Sequence, residues 1–158
     1  MVELGSGMST VVIARLLAQR GGTLASVEHD SAWAKLVREQ LEQEKLAGRA
    51  QVLAAPLEPH ERSWSGEHWY SRDAIATLPG AIDLLLVDGP PGFTAETAHS
   101  RYPALGALAS RLTDDAVVIL DDAERQPERE IAERWHEEMP DWQFGIDDEA
   151  GIAVGKRS

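Results

Sequence analysis

The sequence predicts an α/β fold: a doubly wound, mostly parallel sheet of seven strands, helices on both faces, and an antiparallel hairpin at the C-terminal end. Three observations carry this. Short apolar runs alternate with stretches of helical periodicity along the chain, the pattern of strands covered by helices. The first run, Val2-Glu3-Leu4, passes through Gly5-Ser6-Gly7 straight into a helix. The last two runs, Trp142–Ile146 and Ile152–Val154, leave no room for a helix between them and must form a hairpin.

The elements follow in order. A helix over roughly Ser9–Arg20 carries Val12, Leu16 and Leu17 as its apolar stripe and stops at Gly21-Gly22. Leu24–Val27 is a short buried strand ending at Glu28-His29-Asp30. Trp33, Val37 and Leu41 recur every four residues and mark the next helix, capped by Asp30 or Ser31. Gln51–Ala54 is a third strand, closed by Ala55-Pro56-Leu57. A less regular stretch, 58–80, holds His60, Trp64, His68, Trp69 and Tyr70, then a short helix near Arg72–Thr77. Ile82–Val87 is almost continuously apolar, as a central parallel strand must be. Pro103 opens a helix carrying Leu105, Leu108 and Leu112. Ala116–Leu120 is the fifth strand, and Pro127 starts a helix with Ile131, Trp135 and Met139 on one face. Trp33, Trp135 and Trp142 are expected in the core, Trp69-Tyr70 at a pocket rim. The Glu/Arg-rich run 124–138 is expected to be a solvated helix face with i,i+4 pairs.

Composition bounds the function. The 158 residues suffice for one domain with a proper core, so 1–158 is expected to be a single domain. The chain begins almost inside its first strand, so the domain is either minimal or preceded by helices not included here. With 27 acidic against 15 basic residues the formal charge is −12, which repels phosphate backbones and argues against nucleic-acid partners. The absence of cysteine removes disulfides, thiolate metal sites and Cys nucleophiles. No apolar run approaches a membrane span and no signal peptide is visible, so no membrane partner and a cytoplasmic location are expected.

The Gly5-Ser6-Gly7 turn is the most informative segment. Glycines let the chain turn tightly and let a ligand approach the main chain, and the helix that follows offers unpaired N–H groups. A dinucleotide fingerprint would place a third glycine where Thr10 stands. Glu3 would repel phosphates but receives an ammonium or hydroxyl group. An amino-acid-bearing nucleoside with a cationic centre fits better. Glu3, Glu28, Asp88 and Asp121-Asp122 all fall at predicted carboxyl ends of strands, where ligands bind in such sheets.

In that order and spacing, Glu3-Leu4-Gly5-Ser6-Gly7, Val27-Glu28-His29-Asp30, Val87-Asp88-Gly89-Pro90-Pro91-Gly92 and Leu120-Asp121-Asp122-Ala123 resemble the class I S-adenosylmethionine-dependent methyltransferases. These have a Rossmann-like sheet closed by the same hairpin. The resemblance extends from the first strand onward and implies S-adenosyl-L-methionine as cofactor. It implies that the backbone at Gly5 and Gly7 lies against the methionine part, that Ser6, Ser9 and Asp88 also bind the cofactor, and that Glu3 helps hold its amino group, directly or through water. Glu28 would accept hydrogen bonds from both ribose hydroxyls, a bidentate task suited to a carboxylate, though an acid there also suits a helix cap. His29 would pack on the adenosine, and Pro56 and Leu57 would border the adenine.

The layout also resembles the catechol-type O-methyltransferases, which hold a divalent cation on acids after strands four and five. This implies Asp88, Asp121 and Asp122 as ligands of Mg²⁺ or another divalent cation that orients an acceptor hydroxyl, with Asp88 catalytic. In those enzymes a lysine base stands where this chain has Pro91. The other reading is that Asp88 shapes the substrate mouth while Asp121-Asp122 caps the next helix. Arg101-Tyr102 either faces the acceptor or neutralises nearby acids. The expected partner is a small-molecule methyl acceptor taking the methyl on oxygen, and a homodimer is the candidate assembly. Two rivals stand: an NAD-dependent oxidoreductase, which predicts a hairpin-free sheet and a third glycine, and a degenerate cofactor-binding or interaction domain.

Overall fold

The computed structural model describes residues 1–158. Nine strands and five α-helices run in the order β1 (Val2–Leu4), α1 (Met8–Arg20), β2 (Leu24–Glu28), α2 (Ser31–Gln43), β3 (Ala50–Ala54), β4 (Leu57–Pro59), β5 (His68–Tyr70), α3 (Arg72–Ala76), β6 (Ile82–Val87), α4 (Pro103–Leu108), β7 (Leu112–Leu120), α5 (Gln126–Glu138), β8 (Trp142–Asp147) and β9 (Ile152–Arg157). A 3₁₀ turn, Ala109–Arg111, joins α4 to β7.

Seven strands form one sheet in the order β3-β2-β1-β6-β7-β9-β8. The pairings are parallel except around β9, which is antiparallel to both β7 and β8. The predicted doubly wound sheet with its hairpin is what folds. The order in which strands are added switches sides between β1 and β6, a parallel pair whose register matches Leu4 with Val87. That switch point opens the crevice in which open α/β sheets hold ligands.

Two cores cover the sheet. Leu24 packs with α1 and α2 in a cluster of nine buried residues. Val27 belongs to a cluster of 25 that includes Leu105, Ile131 and Trp135 of α4 and α5. Residues three apart on a strand point to opposite faces, so the clusters lie on opposite sides. Trp135 and Trp142 are core residues as expected.

Several details differ from expectation. The buried face of α1 is Thr10, Val11 and Ala14, while Val12 and Leu16 are exposed. Small side chains let this helix lie close to the sheet, and of its larger apolar residues Ile13 and Leu17, the last of the expected stripe, pack at the edge of that contact. On α2 the buried row is Ala34, Val37 and Leu41, and Asp30 caps the helix by accepting from the N–H groups of Ala32 and Trp33 at 2.8 and 3.0 Å. Trp33 is one position off that row and 48% exposed, so it is not core. The irregular stretch contains a two-stranded antiparallel ribbon, β4 with β5, that the sequence reading lacks. The ribbon buries Trp69 and Tyr70, so they border pockets from within the core and not from an exposed rim. Leu112 begins β7 instead of ending α4. On α5 Arg134 and Glu138 form an i,i+4 pair at 2.9 Å, but Glu128 points inward and is buried. No helix is long and apolar enough to cross a membrane.

Candidate active site

A cavity of about 420 Å³ opens at the carboxyl ends of β1, β2 and β6, with Gly5, Ser6, Glu28, Trp33, Asp88 and Gly89 among its walls. It falls within the size range of small-molecule pockets. Phe93 stands at its outer edge and Tyr70 closes it from below.

The glycine turn is built by backbone and by two acids, Glu28 and Glu3. The Gly5 N–H donates to the Val27 carbonyl at 2.8 Å, extending the β1–β2 ladder into the loop. Gly5 adopts φ +92°, and a Cβ there would lie 2.7 Å from the Asp88 carbonyl oxygen. Only glycine accepts both the left-handed backbone and this contact. Gly89 meets Gly5 from the other side, and a Cβ on it would collide with the Tyr70 hydroxyl. The loops after β1 and β6 thus touch main chain to main chain. Gly7 has extended backbone and open space around its missing Cβ.

Glu28 ties the turn to β2. Its Oε2 accepts from the Ser6 N–H at 3.0 Å and the Ser6 hydroxyl at 2.9 Å. Its Oε1 accepts from the Asp30 N–H at 2.9 Å and lies 2.8 Å from His29 Nδ1. The Trp33 indole N–H donates to the Ser6 carbonyl at 2.8 Å and sets the aromatic wall opposite Asp88. Glu3 is buried beneath the turn. Its Oε2 accepts from the Thr10 hydroxyl at 2.5 Å and the Ser26 hydroxyl at 2.6 Å, and Thr10 Oγ1 in turn accepts from the Gly7 N–H at 2.9 Å. Burial raises the Glu3 pKa, against the pull of its hydroxyl partners.

The structure therefore brings Gly5, Ser6, Glu28, His29 and Asp88 to the cavity wall. It leaves the predicted Glu3, Gly7, Ser9 and Leu57 off that wall. Glu3 holds Thr10 and thereby the loop, and Leu57 packs on the core from β4. Trp33 is a wall residue that the sequence reading placed in the core, while Tyr70, expected at a pocket, does line this one. A helix-start aromatic three residues after a capping Asp was the available signal for Trp33.

The expected metal set of Asp88, Asp121 and Asp122 does not assemble. Arg101, 2% exposed, fills the space between the strand ends. Its Nη2 lies 3.1 Å from Asp88 Oδ1 and 2.7 Å from Asp122 Oδ2, and its Nη1 donates to the Asp121 main-chain carbonyl at 3.0 Å. Nη2 also donates to the Asp88 main-chain carbonyl at 3.4 Å, and Nη1 lies 3.5 Å from Glu128 Oε1. No group of three or more His, Asp or Glu side chains is arranged to hold a metal ion. Carboxylates satisfied by one guanidinium do not fit a hard divalent cation, which needs the same oxygens. Asp122 sits at φ +61°, a conformation Asp tolerates, and also pairs with Arg125 at 2.9 Å. Burial pushes the Asp88 carboxyl up to about 6; Arg101 opposes this, while Asp121, Asp122 and Glu3 add to it.

A family model described as a methyltransferase domain matches residues 2–123. The chain belongs to the methyltransferase-domain family. No curated protein matches its sequence. Among solved structures, cofactor-bound Rv0187 from MTB superposes with TM-score 0.69 at 18% identity, over 99% of this chain and 71% of that one. A methyltransferase from Podospora anserina with bound SAH gives 0.67 at 12% identity, covering 99% and 71%. An O-methyltransferase from Bacillus cereus in complex with SAH gives 0.64 at 17% identity, covering 99% and 73%. These show the class I methyltransferase fold, Rossmann-like with the closing hairpin. The oxidoreductase reading loses both its marks: β9 is antiparallel within the sheet, and Thr10 stands where a third glycine would.

Proposed function

We propose that this methyltransferase domain transfers the methyl group of S-adenosylmethionine to an oxygen of a small-molecule acceptor. The observation that carries it is the cavity at the switch point, with bare main chain at Gly5, the Glu28 carboxylate, the Trp33 indole and half-buried Asp88 facing one space. Similarity to methyltransferases with bound SAH supports the choice of cofactor.

The chain's residues suit that group. Glu28 is the acid for the ribose hydroxyls, exchanging its Ser6 hydroxyl partner for the ligand's. Open space at Gly7 admits the methionine part beside the N-terminus of α1. His29 and Trp33 flank the adenosine side. The cofactor, when bound, supplies an electrophilic methyl on a sulfonium, so the protein's task is alignment and exclusion of water. Asp88, with a carboxyl titrating near 6, is charged at neutral pH and accepts the acceptor's hydroxyl proton. Arg101 holds that carboxylate in place.

Thermal shift with S-adenosylhomocysteine, NAD and buffer alone tests the reading. Ligand at ~100 Kd adds roughly 2.7 kcal/mol, so S-adenosylhomocysteine is expected to raise the Tm and NAD to leave it unchanged. Stabilisation by NAD alone would overturn the proposal. Binding of the homocysteine nucleoside without turnover over varied phenols, alcohols and acids would leave a cofactor-binding domain in place of an enzyme.

A further inference from the structure

A second cleft, of about 380 Å³, lies behind the first. It is formed by the loop between β4 and β5, by α3, and by α4 with its 3₁₀ turn. Three arginines (62, 72 and 111) and His60 line it, with Glu61 the one acid among them. On a chain of net charge −12 such a concentration of cationic groups is unusual.

The charges are only partly used. Arg62 makes no ion pair, and its side chain makes no hydrogen bond; it lies along α4, where a Cβ on Gly106 would come within 3.2 Å of its Nη1. Arg72 reaches Glu61 at 3.4 Å, a long contact between two exposed side chains. Arg111 is committed to the end of α3, donating to the Leu78 carbonyl at 2.7 Å. Arg62 and Arg72 are both near enough to His60 to lower its pKa, after burial, while Glu61 and Glu58 oppose them. One unpaired guanidinium, Arg62, and one held only by a long contact to Glu61, Arg72, thus share the cleft with the His60 imidazole.

The floor is apolar. Trp69 packs edge-on to His60 with centroids 5.0 Å apart, and Ile75 and Ala107 continue the surface. Tyr70, fully buried, is the wall common to this cleft and the cofactor cavity.

We propose that this cleft binds a small oxyanion carried on a flat apolar body, a phosphate monoester or a carboxylate of an aromatic compound. Guanidiniums give paired, charge-assisted hydrogen bonds to either group, and the His60 ring, backed by Trp69, with the aliphatic surface of Ala76 and Ala107 takes the body. A cleft of this volume suits a small molecule, and the acidic net charge of the chain repels a nucleic acid.

Isothermal titration of phenyl phosphate and of benzoate, at fixed ionic strength, tests this on the whole chain. At least one is expected to bind saturably at one site, and the tighter of the two identifies the anion. Arg62→Gln/Arg72→Gln is expected to weaken binding roughly tenfold or more, while leaving S-adenosylhomocysteine affinity and the circular dichroism spectrum unchanged. Both arginines are exposed, so folding is not at stake. No saturable heat with either compound, equal affinity in the double variant, or displacement by S-adenosylhomocysteine would each overturn the proposal.

Discussion

Replacing Arg101 by Met tests the charged hub behind the active site. The guanidinium is 2% exposed and neutralises Asp88, Asp122 and Glu128 together. The partners lose unequally. Asp122 keeps Arg125 at 2.9 Å, and the Asp88 side chain retains 38% exposure to water. Glu128 is 1% exposed and neither carboxylate oxygen has a hydrogen-bond partner, so its charge would be stranded. Stranding a buried charge costs about 3–5 kcal/mol, or roughly 6–20 °C of Tm for a chain of this size. Burial already raises the Glu128 pKa and Arg101 holds it down, so removing Arg101 raises it further. An acid with a raised folded-state pKa favours the native state when protonated and opposes it when charged. The gap between variant and parent is therefore expected to narrow as pH falls from neutrality towards 5. Adding Glu128→Gln should recover about 1–2 kcal/mol. Urea unfolding at both pH values, completed as a double-mutant cycle, measures each quantity. A loss below about 1 kcal/mol, identical at both pH values and uncoupled to Glu128, would refute the hub.

Other consequences are as direct. The acid limb of kcat/KM should fall near pH 6, the value to which burial pushes Asp88, with activity rising as pH increases through it; Asp88→Asn should abolish the limb, and a limb unmoved by that substitution would exclude Asp88 as base. Gly5→Ala forces a side chain into φ +92° and against the Asp88 carbonyl, so a loss of about 2 kcal/mol or more is expected in thermal unfolding. Trp33→Ala should leave stability within about 1 kcal/mol, because the ring is half exposed, yet weaken S-adenosylhomocysteine in calorimetry roughly tenfold. Calorimetric titration with Mg²⁺ or Mn²⁺ should give no saturable heat; tight binding lost in Asp122→Ala would restore the metal reading.

The sheet was legible because its cause is local. Unbroken apolar runs such as Ile82–Val87 and the helix-less gap between Trp142 and Ile152 constrain strand type without reference to the rest of the chain. Helix faces were less so. On α1 Val12 and Leu16 misled while Leu17 does pack on the core, since contact with the sheet selects Thr10, Val11 and Ala14 for closeness. On α2 a single step of about 100° separates Trp33 from the buried row, and that step moves an indole from the core to the ligand wall. The β4–β5 ribbon escaped notice because three-residue strands, one ending in Pro59, are too short for period-2 patterning. Glu28 and Gly5 were readable from their spacing. For Arg101 the alternative of neutralising nearby acids is what the structure shows, but which acids was not readable, because Asp88, Asp122 and Glu128 are brought together only by the folded sheet.

One arrangement at the far edge of the sheet bears on how the molecule is made. β8 precedes β9 in the chain, yet its ladder to the sheet runs only through β9. On the ribosome, then, β8 emerges with no template to zip onto. It waits on the order of a second for residues 152–157 to follow. Its alternation, with Trp142 buried and Gln143 exposed, together with α5 packed beside it, must keep it soluble in that interval. Clipping β9 from the finished protein would cast off two strands rather than one.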